Sequence, residues 1–216
     1  MKRYFHDELE QLRSSLILIG EKAAYAGKMA MDGYLQNDLK LTEAAIALDD
    51  EIDALEVEID RACVRYITLR APVSTDVRLI FVAIKASHDL ERAGDEAHNI
   101  AKKTRNILLR DAKTLHSDAL EKMSQIAFSM LKDAITCFLD EDCALAKNII
   151  ARDTEVDRIN SENFSLLANN QADRGPDNST KIETIFISKS IERIADHAKN
   201  LAEEVIYLLE GDQEFA

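Results

Sequence analysis

Along this chain apolar residues recur every three or four positions and never alternate for long. The pattern therefore predicts helices and no strand. Ile52, Leu55 and Ile59 share one helical face, and Val77, Ile80 and Ile84 share another. Six helical segments are predicted. They run over about Tyr4–Gln36, Leu39–Leu69, Ser74–Arg110, Thr114–Leu139, a fifth after Asp142 to about Asn170, and Thr180–Glu210. Asn37 or Asp38 suits an N-cap before the second. Ala71-Pro72 ends that helix, because proline disfavours helical backbone in the residue before it. Ser74 or Thr75 then suits the cap of the third. The cluster Asp140-Glu141-Asp142 turns the chain, and Arg174-Gly175-Pro176-Asp177-Asn178-Ser179 is its clearest breaker. Gly211 can sit just past the last helix. Helices this long with such short turns pack antiparallel.

The pattern occurs twice. Ser87-His88-Asp89-Leu90-Glu91-Arg92-Ala93-Gly94-Asp95 lines up with Ser188-Lys189-Ser190-Ile191-Glu192-Arg193-Ile194-Ala195-Asp196. Ala97, Asn99 and Ala101 then match Ala198, Asn200 and Ala202 at the same offset of 101 residues. Upstream, Asp49, Ile52 and Asp53 match Asp153, Val156 and Asp157 at an offset of 104. A shared polar string in register is hard to produce from helical composition alone. The expected fold is all-α, two tandem, pseudo-symmetric three-helix bundles of long antiparallel helices, one over residues 1–111 and one over 112–216.

Composition narrows the function. Only 6 Gly and 2 Pro interrupt the helices, and Gly is too scarce for phosphate-cradling loops. The formal net charge of −13 opposes nucleic-acid binding, which needs an excess of Lys and Arg. It suits a basic partner or bound cations. Cys63, Cys137 and Cys143 are odd in number and lack CxxC spacing, so they read as reduced thiols in a cytoplasmic protein. The best apolar run after the N-terminus, Leu16 to Ile19, is too short for a signal peptide or a membrane span. No Ser-His-Asp set or Walker loop is present.

The candidate chemistry lies in carboxylates. Glu91 and Asp95 are one turn apart and share a face, as do Glu192 and Asp196. Glu91 continues the line of Val77, Ile80 and Ile84, the face expected to look into the bundle. Asp49, Asp53 and Glu56 share a face on the preceding helix, and Asp153, Asp157 and Asn160 do so in the second copy. Buried carboxylates need partners or are neutralised. Two such helices together offer hard oxygen ligands suited to Mg²⁺, Mn²⁺, Ca²⁺ or oxidised iron. One cation site per repeat is expected, over Asp49, Asp53, Glu91 and Asp95, and over Asp153, Asp157, Glu192 and Asp196. The competing reading is an exposed face answering Lys or Arg on the same helix. Arg92 and Arg193 lie nearby but project about a quarter turn away. Asp95 and His98 form a D-x-x-H pair like the E-x-x-H of di-iron bundles, yet the second copy has Lys199 there. His88 and His197 have no histidine at their matching positions. No histidine is therefore assigned as a ligand, and the alternative of a di-iron or di-manganese carboxylate enzyme loses ground.

At these two strings the chain resembles the PhoU family, whose pattern is L-E-R-I-G-D followed by N-I-A once per repeat. Here it reads Leu90-Glu91-Arg92-Ala93-Gly94-Asp95 with Asn99-Ile100-Ala101, and Ile191-Glu192-Arg193-Ile194-Ala195-Asp196 with Asn200-Leu201-Ala202. Ala93 and Ala195 depart from the pattern while staying small and apolar. The resemblance implies a cytoplasmic, often homodimeric regulator and not an enzyme. It implies restraint of the high-affinity phosphate ABC importer, and support for repression by a phosphate-sensing histidine kinase, when phosphate is plentiful. The importer's ATPase subunit and the kinase are the implied partners, with the membrane reached only through them. Metal at the E-x-x-x-D motifs (Mg, Mn, Fe or Zn) would centre on Glu91, Asp95, Glu192 and Asp196. Asp49, Asp53, Asp153 and Asp157 would face them, with Arg92, Asn99, Arg193 and Asn200 supporting the motifs.

Overall fold

The computed structural model describes residues 3–169 and 178–210. It contains α1 (Arg3–Gln36), α2 (Leu39–Ala47), α3 (Asp49–Arg70), α4 (Ser74–Leu108), α5 (Asp118–Asp140), α6 (Cys143–Asn169) and α7 (Asn178–Glu210). No strand occurs among the described residues. None of the described helices is long and apolar enough to cross a membrane.

The expected second helix is two helices. The break falls at Leu48, whose backbone stays near helical values, φ −76° and ψ −18°. Its N–H bonds back three residues to Ala45 O at 3.3 Å, tightening the last turn of α2. α2 is thereby laid between α1 and α4, burying Thr42 and Ala45. No Gly or Pro marks the bend, so the local pattern could not show it. Asp49 now opens α3, and Asp49, Asp50 and Glu51 occupy its first turn, where the helix dipole favours negative charge.

Most predicted turns fall where the pattern placed them. Asp38 caps α2, its carboxylate accepting from Lys40 N at 2.8 Å and Leu41 N at 3.2 Å. α3 stops at Arg70 because Ala71, ahead of Pro72, turns left-handed at φ 46°. Glu141 does the same at φ 54°, and Asp142 then caps α6 through Ala144 N and Leu145 N. Two expectations shift. The residue before α4 is Val73, in extended backbone with no side-chain cap, so Ser74 and Thr75 already lie inside the helix. α5 starts at Asp118 with Ser117 as its cap, four residues after Thr114. Thr114 is used elsewhere, donating from Oγ1 to Tyr34 O at 2.8 Å and from N to Asn37 Oδ1 at 2.9 Å. Residues 174–177 of the expected breaker, and Gly211, lie outside the described residues.

The four helices α1–α4 and the three helices α5–α7 share one continuous apolar core. α4 and α7 run antiparallel along each other, as the pairs Lys85–Glu204, Asp89–His197 and Glu96–Arg193 show. Small residues allow close approach: Ala83, Ala86, Ala93 and Ala97 on α4, Ala195, Ala198 and Ala202 on α7, all buried. Tyr34, fully buried on α1, ties the units together. Its hydroxyl donates to Leu115 O at 2.7 Å and lies 3.1 Å from Thr184 Oγ1. Cys63, Cys137 and Cys143 are free thiols, and burial pushes the Cys63 and Cys137 thiols up to about 12.

Candidate metal centre

The first seam lies between α3 and α4. The approach is close because Gly94 faces Ile52; a methyl at Gly94 would meet Ile52 Cδ1 at 2.9 Å. Beside this contact the carboxylates gather in two adjoining groups. Asp49, Asp53 and Asp95 present oxygens within 4.8 Å of one another, and Glu56, His88 and Glu91 present ligand atoms equally close. A third group touches them: His98 Nδ1 lies 2.6 Å from Asp49 Oδ2. All four residues expected in this repeat are thus brought together.

Electrostatically this seam is under-compensated. Glu91 Oε2 and Asp49 Oδ1 are buried and accept no hydrogen bond. Burial, and then Asp95, push the Glu91 carboxyl up to about 7, against the pull of Arg92. Burial also raises Asp49, with His98 opposing and Asp53 and Asp95 adding to it. Among the described residues Arg92 is the strong cation paired with this seam. It does not point away as expected: the exposed side chain folds back, donating from Nη1 to Asp95 Oδ2 at 2.9 Å and placing Nε 3.5 Å from Glu91 Oε2. The stripe leading to Glu91 is less buried than the pattern suggested. Ile80 is in the core, but Val77 is exposed and Ile84 half-buried. Glu91 therefore sits at the rim of the groove, where an ion could reach it.

The second seam lies between α6 and α7 and is built differently. Asp153 is 3% exposed, and its Oδ2 accepts from Lys199 Nζ at 2.8 Å. Glu192 is 8% exposed and accepts from Lys189 Nζ at 2.7 Å. Asp157 is exposed and Asp196 half-buried. Burial raises the Asp196 carboxyl, with Glu192 and then Asp153 adding to it. Asn160 stands where the first repeat has Glu56, and its Oδ1 accepts from Ser188 Oγ at 2.8 Å. Among the described residues no three acid, histidine or cysteine groups here come within 4.8 Å. The expectation of two like seams is thus not met, because lysines occupy the second.

The motif-supporting residues divide in the same way. Asn99 donates to Glu96 Oε2 at 3.4 Å. Arg193 leaves its own seam and donates to Glu96 Oε1 at 2.9 Å, while Asn200 donates to Asp89 Oδ1 at 3.2 Å. On α7 these two residues fasten one repeat to the other. The pattern reading passed over Glu56, His88 and His98 as ligands. A signal was available: His88-x-x-Glu91 and Asp95-x-x-His98 place each histidine one turn outside a motif carboxylate.

In this geometry the first seam could hold one or two hard cations, with imidazole donors at its edges. It offers no nucleophile with an attached base.

Comparisons with known proteins agree with this architecture. The model of the PhoU domain matches residues 16–104 and again 120–205. The phosphate-specific transport system accessory protein PhoU homolog of Zymomonas mobilis is 32% identical over 210 residues, covering 97% of this chain and 88% of that protein. Its counterpart in Clostridium acetobutylicum is 31% identical over 216 residues, covering 98% and 97%. The crystal structure of PhoU from Pseudomonas aeruginosa superposes with a TM-score of 0.91 at 31% identity, covering 96% of this chain and 99% of that one. The Streptococcus pneumoniae phosphate transport system regulatory protein PhoU, at 24% identity and a TM-score of 0.88, shares the fold. With the domain matched twice, and the paired E-x-x-x-D helices set against α3 and α6, the chain belongs to the PhoU family.

Proposed function

We propose that this protein is an accessory regulator of phosphate transport, restraining the high-affinity phosphate importer and supporting repression of the phosphate-starvation response when phosphate is plentiful. The observation that carries the reading is the near-full-length match to accessory proteins of phosphate-specific transport systems. Its partners in this reading are the importer's ATPase subunit and the phosphate-sensing histidine kinase. It works as a cytoplasmic homodimer and reaches the membrane only through those partners. The net charge of −13 favours basic patches on them, with contacts that weaken in salt.

The first seam binds a hard cation (Mg, Mn, Fe or Zn) as a structural or signalling element. Support comes from the buried oxygens of Glu91 and Asp49 that accept no hydrogen bond, which a cation would satisfy. Asp49, Asp53 and Asp95 would hold it on one side and Glu56, His88 and Glu91 on the other. No catalytic step is assigned. The adjoining groups give the di-metal enzyme reading one point in its favour, but the second repeat supplies no matching set.

Deleting the gene should raise alkaline phosphatase output and phosphate uptake in phosphate-rich medium. Output that stays low would refute the regulatory reading. Purified protein should hydrolyse neither phosphate esters nor ATP above background. Hydrolysis that disappears in Glu91→Ala would favour the enzyme.

A further inference from the structure

We infer that Lys189 and Lys199 are built-in cations of the second seam, so that this chain takes metal in its first repeat alone. The inference rests on the metal reading of the first seam for what it contrasts with, but its own evidence is the second seam.

Three matched positions differ between the repeats. His88 and His98 of the first correspond to Lys189 and Lys199 of the second, and Glu56 corresponds to Asn160. The two lysines each remove a cation ligand, and Asn160 replaces a carboxylate by a neutral amide whose Oδ1 already accepts from Ser188 Oγ at 2.8 Å. An ammonium group carries three donors and no acceptor, so a protonated lysine cannot coordinate a metal. The lysines also stand where an ion would stand. Lys199 Nζ is 2.8 Å from Asp153 Oδ2, and Lys189 Nζ is 2.7 Å from Glu192 Oε1. Those oxygens belong to the two most buried carboxylates of the seam. A divalent cation would have to displace two charge-assisted hydrogen bonds and then share the groove with both ammonium groups. Among the described residues no lysine pairs with the carboxylates of the first seam; its edges carry imidazoles, which are neutral metal ligands when deprotonated.

The test is metal retention by the full chain. Metal-stripped protein is equilibrated with Mn²⁺, desalted, and its Mn²⁺ per chain measured by mass spectrometry, with circular dichroism melts to confirm folding. Glu91→Gln/Asp95→Asn should bring retained Mn²⁺ to background. Lys189→His/Lys199→His should bind additional Mn²⁺, and the addition should persist when combined with Glu91→Gln/Asp95→Asn. The proposal is overturned if Glu91→Gln/Asp95→Asn keeps Mn²⁺ that Glu192→Gln/Asp196→Asn removes. It is equally overturned if the folded double-histidine protein gains none. Should that variant not fold, Lys199→His alone, which keeps the Lys189–Glu192 pair, is judged by the same two outcomes. Wild-type protein that binds no Mn²⁺ would sink the first-seam reading. The double-histidine result on the Glu91→Gln/Asp95→Asn background would still decide the role of the lysines.

Discussion

The two acidic seams carry the same motif on matching pairs of helices, α3 with α4 and α6 with α7, yet one is short of positive charge and the other supplies its own. In the first, Glu91 and Asp49 keep buried oxygens that accept no hydrogen bond. In the second, Asp153 and Glu192 are more deeply buried and each receives a lysine, although Asp153 Oδ1 is also left without a hydrogen bond. The motif residues cannot account for this, because Glu-x-x-x-Asp occurs in both. The difference comes from residues one turn outside the motif, and from the break at Leu48 that puts Asp49 at a helix start while Asp153 lies inside α6. A repeated carboxylate pair thus marks a place in the fold, and its neighbours set the chemistry done there.

The largest effect that would sharpen this contrast is stabilisation by metal. A cation present at about one hundred times its dissociation constant should add about 2.7 kcal/mol. That is roughly 5–10 °C in Tm for a chain of this length. Wild-type and Glu192→Gln/Asp196→Asn proteins should both show the rise over their own metal-free forms in a calorimetric melt, and Glu91→Gln/Asp95→Asn should not. A rise lost only in the second-seam variant would reverse the comparison.

Next in size is the removal of a lysine. Lys199→Met leaves Asp153 buried without its counter-charge, and about 2 kcal/mol of stability should go, since a hydrogen bond between charged groups is worth roughly that much. Adding Asp153→Asn should restore most of it in urea unfolding, because the double variant has no unpaired charge. Equal losses in the single and double variants would mean that Lys199 matters for packing rather than charge.

The pH dependence comes third. The folded-state pKa of Glu91, about 7, lies above the ordinary value of 4.5, so the folded protein binds this proton more tightly than the unfolded chain does. Metal-free protein should therefore gain stability from Glu91 as pH falls from about 8 towards 5, by about 1–2 kcal/mol. Glu91→Gln should flatten that part of the profile. Metal should act in the opposite sense, binding more weakly as pH falls, because protons and cations compete for the same oxygens. An unchanged profile in Glu91→Gln would place the titration elsewhere.

The smallest expected effect is at the helix contact beside the first seam. Gly94→Ala gains helix propensity but forces a methyl against Ile52, which is itself buried. Overpacking should win by about 1 kcal/mol. The matching position in the second repeat is already Ala195, so Ala195→Gly should cost only about 1 kcal/mol of helix propensity, without relief of any clash. A stabilised Gly94→Ala protein would show that α3 can shift at no cost.

Much of the fold was legible in the sequence because helix-forming information is local. The three-to-four-residue spacing, Asp38, Ala71-Pro72 and Asp140-Glu141-Asp142 act over one or two turns, and the structure keeps each of them. The break at Leu48 was not legible, because no residue there is a helix breaker and the bend serves the packing of α2 against α1 and α4. The late start of α5 was hidden for a similar reason: Thr114 could serve as a cap, but its partners are Tyr34 and Asn37, some eighty residues earlier.

The sequence by itself determined the all-α class, the doubled motif and the gathering of Asp49, Asp53, Glu91 and Asp95, since periodicity places side chains on faces and a short turn brings two faces together. Only the tertiary structure decided which carboxylates have partners. A lysine's four-carbon stem can reach across to a neighbouring helix or lie along its own, and spacing cannot say which. Lys199 crosses to Asp153 on α6, Lys189 stays with Glu192, Arg193 crosses to Glu96 on α4, and Arg92 folds back onto its own helix. Charge balance in a buried groove is a property of side-chain ends, and those ends are fixed by the packing of helices distant in sequence.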